Sequence, residues 1–253
     1  MVAELRIGTS GWNYRAWRGS FFPDDLTAKE WLPFYASRFN SVEVNYSFYR
    51  LPSEQICDNW YRATPDDFRF AVKASRYLTH IKRLAEANAA WDTFVERVSR
   101  LKHKLGPVLL QFPATFLATE RNLHSLESFL GYARMKTPQV RIAVEFRDES
   151  CFGAPMLKLL DQYRASIVLS HSSRYPVPEL IPTSDFAYFR FHGPREMFAS
   201  SYTDWELEKW ADVAAATLSN RTVYAYFNND SGGHAPRNAL TLRQKIEARL
   251  NRA

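Results

Sequence analysis

Five apolar runs in this chain finish in ionisable or amide side chains. A fold that accepts all five has to gather those ends around something polar. The runs are SVEVN (Ser41 to Asn45), FRFAVK (Phe68 to Lys73), VRIAVEFR (Val140 to Arg147), FAYFRFHG (Phe186 to Gly193) and VYAYFNND (Val223 to Asp230). Each is aliphatic or aromatic until its C-terminal end. Buried charges are costly unless paired or used, so one shared pocket at the strand ends is the simplest arrangement.

Together with three more short apolar runs these make eight expected strands. They lie near Leu5–Gly8, Val42–Asn45, Phe68–Lys73, Pro107–Phe112, Arg141–Phe146, Ser166–Ser170, Phe186–His192 and Val223–Asn228. The segments between them carry a helical period. Trp31, Phe34, Tyr35 and Phe39 share one face, as do Trp91, Phe94, Val95, Val98 and Leu101, and Leu207, Trp210, Ala211, Ala214 and Leu218. Thr27–Glu30 and Thr203–Glu206 have the spacing of capping boxes and are expected to open two helices.

Eight strands separated by crossovers in 253 residues predict an α/β fold, a TIM-like (β/α)8 barrel forming a single domain over residues 1–253. The competing open, doubly wound sheet lacks its fingerprint, because the turn Gly8-Thr9-Ser10-Gly11 does not match G-x-G-x-x-G. Pro176, Pro178 and Pro182 fall between Ser172 and Ser184, so an irregular loop is expected in place of a helix between strands six and seven.

No apolar run approaches the roughly 20 residues that cross a bilayer. The opening Met-Val-Ala-Glu-Leu-Arg enters the first strand without a signal-like apolar region. A cytoplasmic protein with no membrane partner is expected. Cys57 and Cys151 stand far apart, outside any C-x-x-C spacing, and read as reduced thiols. The net charge of +6 favours anionic ligands, such as a small polar or phosphorylated molecule. It is spread without a dense basic run, so a nucleic-acid partner is permitted rather than indicated. No cofactor fingerprint is present.

Side chains alternate along a strand, so one parity faces the lumen of a barrel and the other the helices. With Val42 and Val44 outward, Glu43 and Asn45 point in. Phe70 and Val72 outward leave Ala71 and Lys73 inside, and Val144 and Phe146 outward leave Ala143, Glu145 and Arg147 inside. Phe189 and Phe191 outward leave Tyr188, Arg190 and His192 inside. Gln111 follows the same parity, whereas only one of the adjacent Asn228 and Asn229 can point inward. These positions cluster at strand C-termini, the face on which barrel enzymes carry their active sites.

Seven collinear blocks resemble the domain-of-unknown-function family 72, the YecE-like proteins. They are GTSGWNYRAWRGSFFP (Gly8 to Pro23), FNSVEVNYSFYRLPS (Phe39 to Ser53), FRFAVKASRYLTH (Phe68 to His80), KLGPVLLQFP (Lys104 to Pro113), AVEFRDES (Ala143 to Ser150), FAYFRFHG (Phe186 to Gly193) and YFNND (Tyr226 to Asp230). The resemblance runs from about Ile7 to Leu242. It implies a TIM-barrel-like fold with a polar pocket, in a family without a settled activity. By motif, its pocket candidates are Glu43, Asn45, Lys73, Glu145, Arg147, His192, Asn228 and Asp230. The chain departs from the family pattern at Cys151, at Ala114 and at Ser170-His171-Ser172.

Glu43 and Glu145 are the expected acid–base pair, provided their environments separate their pKa values. The bland alternative is an ion-pair network in which Lys73, Arg147 and Arg190 neutralise them. Lys73 is expected to pair charges or bind an anion rather than act as a Schiff-base nucleophile, because nearby glutamates would keep it protonated. Arg147 and Arg190 offer planar forks for a carboxylate or phosphate, and His192 is a candidate base. Asn45, Tyr46, Asn228, Asp230, Gln111, Ser10 and Trp12 complete the expected ligand contacts. The rings after strands one and two (Trp12, Tyr14, Trp17, Phe21, Phe22, Tyr46, Phe48, Tyr49) divide between core packing and stacking walls. No H-x-H, H-x-x-E or H-E-x-x-H motif lies near the strand ends, so no metal ligands are assigned. The expected function is acid–base chemistry, hydrolytic or lyase-type, on a small polar, anionic ligand. A metal-dependent phosphodiester hydrolase and a non-catalytic metabolite-binding module are the alternatives.

Overall fold

Aliphatic and aromatic side chains make up much of the eight strands, and both faces of nearly every strand are covered. That is the pattern of a parallel sheet wrapped in helices. The strands are β1 (Leu5–Thr9), β2 (Ser41–Val44), β3 (Arg69–Lys73), β4 (Leu105–Gln111), β5 (Ile142–Glu145), β6 (Ser166–His171), β7 (Phe186–Phe191) and β8 (Thr222–Phe227). They form one parallel sheet in the order β1-β8-β7-β6-β5-β4-β3-β2, a nearly closed TIM-like barrel in a single α/β domain. The structure, a computed structural model, describes residues 3–251; the ends of the expected domain, 1–2 and 252–253, lie outside it.

The outer layer comprises α1 (Trp31–Arg38), α2 (Tyr46–Tyr49), α3 (Glu54–Arg62), α4 (Asn88–Val98), α5 (Glu120–Lys136), α6 (Ala154–Gln162), α7 (Asp204–Leu218) and α8 (His234–Leu250). Local capping explains several starts. Ser53 accepts from Ile56 N to open α3, and Thr119 accepts from Asn122 N to open α5. The expected capping box at Thr203–Glu206 is complete and opens α7. The one expected at Thr27–Glu30 is displaced. Glu30 accepts from both the Thr27 amide and hydroxyl, but the segment is a turn, and α1 begins only at Trp31. No helix fills the connection from His171 to Phe186, as its prolines predict. Among the described residues no helix is long and apolar enough to cross a membrane.

The predicted parity holds. Val42, Val44, Phe70, Val72, Val144, Phe146, Phe189 and Phe191 pack in the shell between sheet and helices. Ala71, Leu109, Ala143, Val168, Phe186, Tyr188, Tyr224 and Tyr226 fill the lumen as a second, separate cluster. The lower lumen is therefore an aromatic plug, and two of its phenols turn polar groups upward. Tyr226 Oη meets Ser41 Oγ at 2.6 Å, and Tyr188 Oη reaches the β2 glutamate described below.

The barrel closes between β1 and β2 mainly through side chains. One parallel bridge joins Ser10 to Glu43. Below it, the Asn40 amide accepts from Ile7 N at 3.0 Å and donates to Leu5 O at 2.8 Å. Tyr35 Oη accepts from Thr9 N at 2.8 Å and donates to Ser41 O at 3.2 Å. The two side chains thus satisfy ladder groups that would otherwise be buried without partners. Gly8 makes this seam feasible, since a Cβ there would lie 2.0 Å from Ser41 O and 2.5 Å from Tyr35 Oη. Gly8→Ala should wedge the seam open and destabilise the fold by about 2–3 kcal/mol or more. Urea unfolding measures the loss; an unchanged midpoint would mean that the seam tolerates the methyl.

Candidate active site

Arg190, near the end of β7, sits in the barrel axis with 1% of its surface exposed. Its Nε donates to Glu43 Oε2 at 2.9 Å and its Nη2 to Glu43 Oε1 at 2.7 Å, a fork-on-fork pair. Its Nη1 donates to Glu145 Oε2 at the end of β5. Glu43 also accepts from Ser10 Oγ and Tyr188 Oη, each at 2.7 Å. A carboxylate has about four acceptor positions, so those of Glu43 are all in use. Burial alone would raise its pKa, yet Arg190, with the two hydroxyls, holds it below the ordinary carboxylate value. Glu145 is likewise buried, but Arg190, His192 and Arg147 hold it well below that value.

These facts correct the expected roles of several residues. Glu43 and Glu145 are both held below the ordinary carboxylate value, Glu145 well below it, and both are engaged with one guanidinium. Ser10 is turned to Glu43 and is not part of the cavity wall. Arg190 spends its fork on carboxylates of the protein itself, leaving only its edge toward the cavity. His192 is fully buried beside Glu145 and is not in the wall. Asn228 Nδ2 approaches its Nδ1 at 3.0 Å. Its Nε2 faces both Arg190 Nη1 at 3.4 Å and Glu145 Oε1 at 3.5 Å. Burial first, and then Arg190, lowers the His192 pKa and keeps the ring neutral.

Above this network lies a cavity of about 410 Å³ lined by residues from most of the strand ends, among them Asn45, Lys73, Gln111, Arg147, Asn228 and Asp230. Lys73 does not pair with the glutamates as expected, because Arg190 has claimed them; it makes no ion pair among the described residues. Its Nζ lies 4.1 Å above the Phe48 ring. Burial, reinforced by Arg190 and only partly offset by Glu145 and Glu43, pulls its pKa down to about 7. Asp230 is the converse case. Burial raises it to about 7, with Glu43 adding and the Tyr14 hydroxyl and Arg190 opposing. Asp230 Oδ1 and Asn45 Oδ1 are buried without a hydrogen-bond partner, as are Arg147 Nε and, beneath the cavity, Glu145 Oε1, which face each other at 3.5 Å as an ion pair. Arg147 otherwise stacks on Tyr175, 4.6 Å from the ring centre.

Asn228, not Asn229, faces inward; Asn229 donates to Ser200 O and to Asn238 Oδ1 behind the barrel wall. The loop aromatics also separate. Trp17 and Phe22 are core. Trp12, Tyr14 and Tyr46 join Trp60 around a second cavity of about 430 Å³, which shares Tyr14 and Asn45 with the first. Phe48 and Tyr49 line the polar cavity itself. Sequence reasoning did not select His80 and Phe198, which also line it. His80 is in a single π-helical turn (Tyr77–Ile81), and burial, with Lys73 and Arg147 nearby, depresses its pKa to about 4. Phe198 adopts a left-handed φ of 67°, a strained conformation that brings its ring over His192.

A larger cavity, about 820 Å³, opens at the opposite mouth, where the strands begin. Its charged groups are engaged locally: Arg141 with Asp185 at 3.1 Å and His103 with Asp66 at 2.8 Å. It has none of the orphaned polar atoms of the upper cavity. Among the described residues, no three His, Cys, Asp or Glu side chains are grouped to hold a metal ion.

Comparison with known proteins agrees with the architecture. Residues 6–253 match the family described as "Protein of unknown function DUF72". The UPF0759 protein YunF of Bacillus subtilis is 25% identical, with 96% of this chain and 95% of that protein covered. The UPF0759 protein YecE of Escherichia coli K12 is 38% identical across 38% of this chain and 35% of its own length. The crystal structure of a DUF72 family protein from Thermotoga maritima superposes with a TM-score of 0.85 at 28% identity, covering 96% of this chain and 99% of that one.

The network and the cavity respond oppositely to mutation. Glu43→Gln strips Arg190 of its forked partner and should cost about 3–5 kcal/mol. Asp230→Asn should stabilise the protein instead. A carboxyl whose folded pKa is raised from 3.8 to about 7 binds its proton more tightly when folded. The resulting penalty is absent below the unfolded value and complete above about pH 7. The gain should therefore be a few kcal/mol at pH 8 and vanish near pH 4. Denaturant melts of both variants at the two pH values decide this; a destabilised Asp230→Asn at pH 8 would contradict it.

Proposed function

The chain belongs to the DUF72 family, and we propose that this member is an enzyme performing proton-transfer chemistry, hydrolytic or lyase-type, on a small polar, anionic molecule held in the upper cavity. One contrast carries the reading. The Glu43 carboxylate beneath is saturated, whereas the cavity above it leaves Lys73 without an ion pair and Asn45 Oδ1 and Asp230 Oδ1 without hydrogen-bond partners. Buried polar groups are normally satisfied, so a wall of unsatisfied ones supports a ligand that completes them.

In this reading Arg147 is the principal anion holder, since it lines the cavity with its plane on Tyr175 and its Nε, 3.5 Å from Glu145 Oε1, makes no hydrogen bond. Asn45, Gln111 and Asn228 orient the ligand. Lys73 and Asp230 exchange protons with it, because both titrate near neutrality, where a general acid and base are most effective. Glu43, Glu145 and His192 act as positioning residues that fix Arg190 and set the charge beneath the cavity. The adjoining cavity between Trp12, Tyr46 and Trp60 suits a flat or apolar portion of the same molecule.

Sulfate is a suitable probe because its own charge is constant near neutrality. Below about pH 7 Lys73 is positive and Asp230 neutral; above it Lys73 is neutral and Asp230 negative. Both changes oppose an anion as pH rises. Sulfate affinity, read by calorimetry, should therefore fall about tenfold or more between pH 6 and pH 8. Arg147→Gln should weaken it throughout. Affinity that ignores both pH and Arg147 would count against an anion site here.

A further inference from the structure

We propose that Lys73 is a covalent nucleophile that forms an imine with a small aldehyde or ketone carrying a phosphate or carboxylate. The proposal rests on the anion-binding reading above and deepens it by naming the substrate class.

The geometry separates Lys73 from the other polar groups of the lumen. It ends β3, its side chain lines the cavity, and its backbone is fixed by Ser47 Oγ, which donates to Lys73 O at 2.6 Å. The glutamates that would hold an ammonium are instead saturated or engaged by Arg190. The Nζ lies 4.1 Å from the centre of the Phe48 ring, against which His80 also packs at 5.0 Å. The charges divide in the same way. Glu43 and Glu145 balance Arg190 and Arg147, leaving an ammonium at Lys73 as an uncompensated charge in a buried setting. A neutral amine is the form such a setting favours, and the pKa lowered to about 7 agrees.

The chemistry balances without a co-reactant. The neutral amine adds to the carbonyl carbon, forming a C–N bond while the C–O π pair becomes an alkoxide. A proton moves from nitrogen to oxygen to give the carbinolamine. Asp230, protonated below about pH 7, supplies the proton that lets the hydroxyl leave as water, and the nitrogen lone pair forms the iminium. The sum is amine plus carbonyl plus the Asp230 proton giving iminium, water and the Asp230 carboxylate, with no change of oxidation state and the reverse path open. Arg147 holds the substrate's anion beside the new bond. An iminium accepts an electron pair from a bond one carbon away, so within the proposed function it favours lyase-type cleavage over hydrolysis.

The test is reductive trapping. The intact protein is incubated near pH 7 with glycolaldehyde phosphate or with pyruvate, treated with borohydride, digested and mapped by mass spectrometry. Lys73 should carry the reduced adduct on the order of a hundred-fold ahead of surface lysines such as Lys29 and Lys209. Excess sulfate should suppress the trapping. Lys73→Arg, which keeps a positive side chain, should abolish the adduct while the protein still binds sulfate. An adduct absent from Lys73, or spread evenly over exposed lysines, overturns the imine. If sulfate binding persists in that case, the anion site stands without it; if sulfate binding is missing as well, both readings fall.

Discussion

The chemistry of this barrel is arranged around a guanidinium in its axis. Arg190 is held by both oxygens of Glu43 and by Glu145, and the three groups come from β7, β2 and β5. An isolated buried ion would be prohibitive, and even a buried pair repays its desolvation only when geometry and remaining hydrogen bonds are nearly complete. Here they are. Ser10 from the end of β1 and Tyr188 from β7 fill the remaining acceptor positions of Glu43. The network thus ties together strands that lie far apart in the sheet order, including the two edges that meet at the seam.

That internal pairing decides what remains for a ligand. With the glutamates committed to Arg190, the next layer upward holds a lysine without an anion and an aspartate without a cation. Burial moves the two toward a common pKa from opposite sides. Structural ion pairs move pKa values away from neutrality, as Glu43 and Glu145 illustrate, whereas unpaired burial moves them toward it. The depth of a residue in the lumen, rather than its type, therefore separates the paired network from the cavity wall.

Much of this was legible in the residues. Alternation alone placed Glu43, Lys73, Glu145, Arg147 and Arg190 inside and their valine and phenylalanine neighbours outside, because a one-residue shift would expose an entire apolar face. The prolines between Ser172 and Ser184 correctly removed a helix. Depth was not legible. Whether a glutamate lies under an arginine or beside a cavity depends on the stagger between strands, which parity does not encode. This is why Glu43, Ser10 and His192, expected to meet a ligand, are found beneath it, and why Lys73 is left unpaired. His80 and Phe198 reach the cavity from irregular segments whose placement follows from packing rather than period. Thr27–Glu30 shows a local motif formed one turn early, because the apolar face that anchors the helix begins only at Trp31.

The protonation of Lys73 tests the central claim most directly. Its Nζ and Cε can be followed through pH by heteronuclear NMR on selectively labelled protein, with Lys73→Arg identifying the signal. A midpoint near 7 is the outcome required by a lysine left unpaired above glutamates that are committed to Arg190. A midpoint at or above the ordinary lysine value of about 10.4 would mean that the glutamates hold Lys73 after all, and would contradict the account.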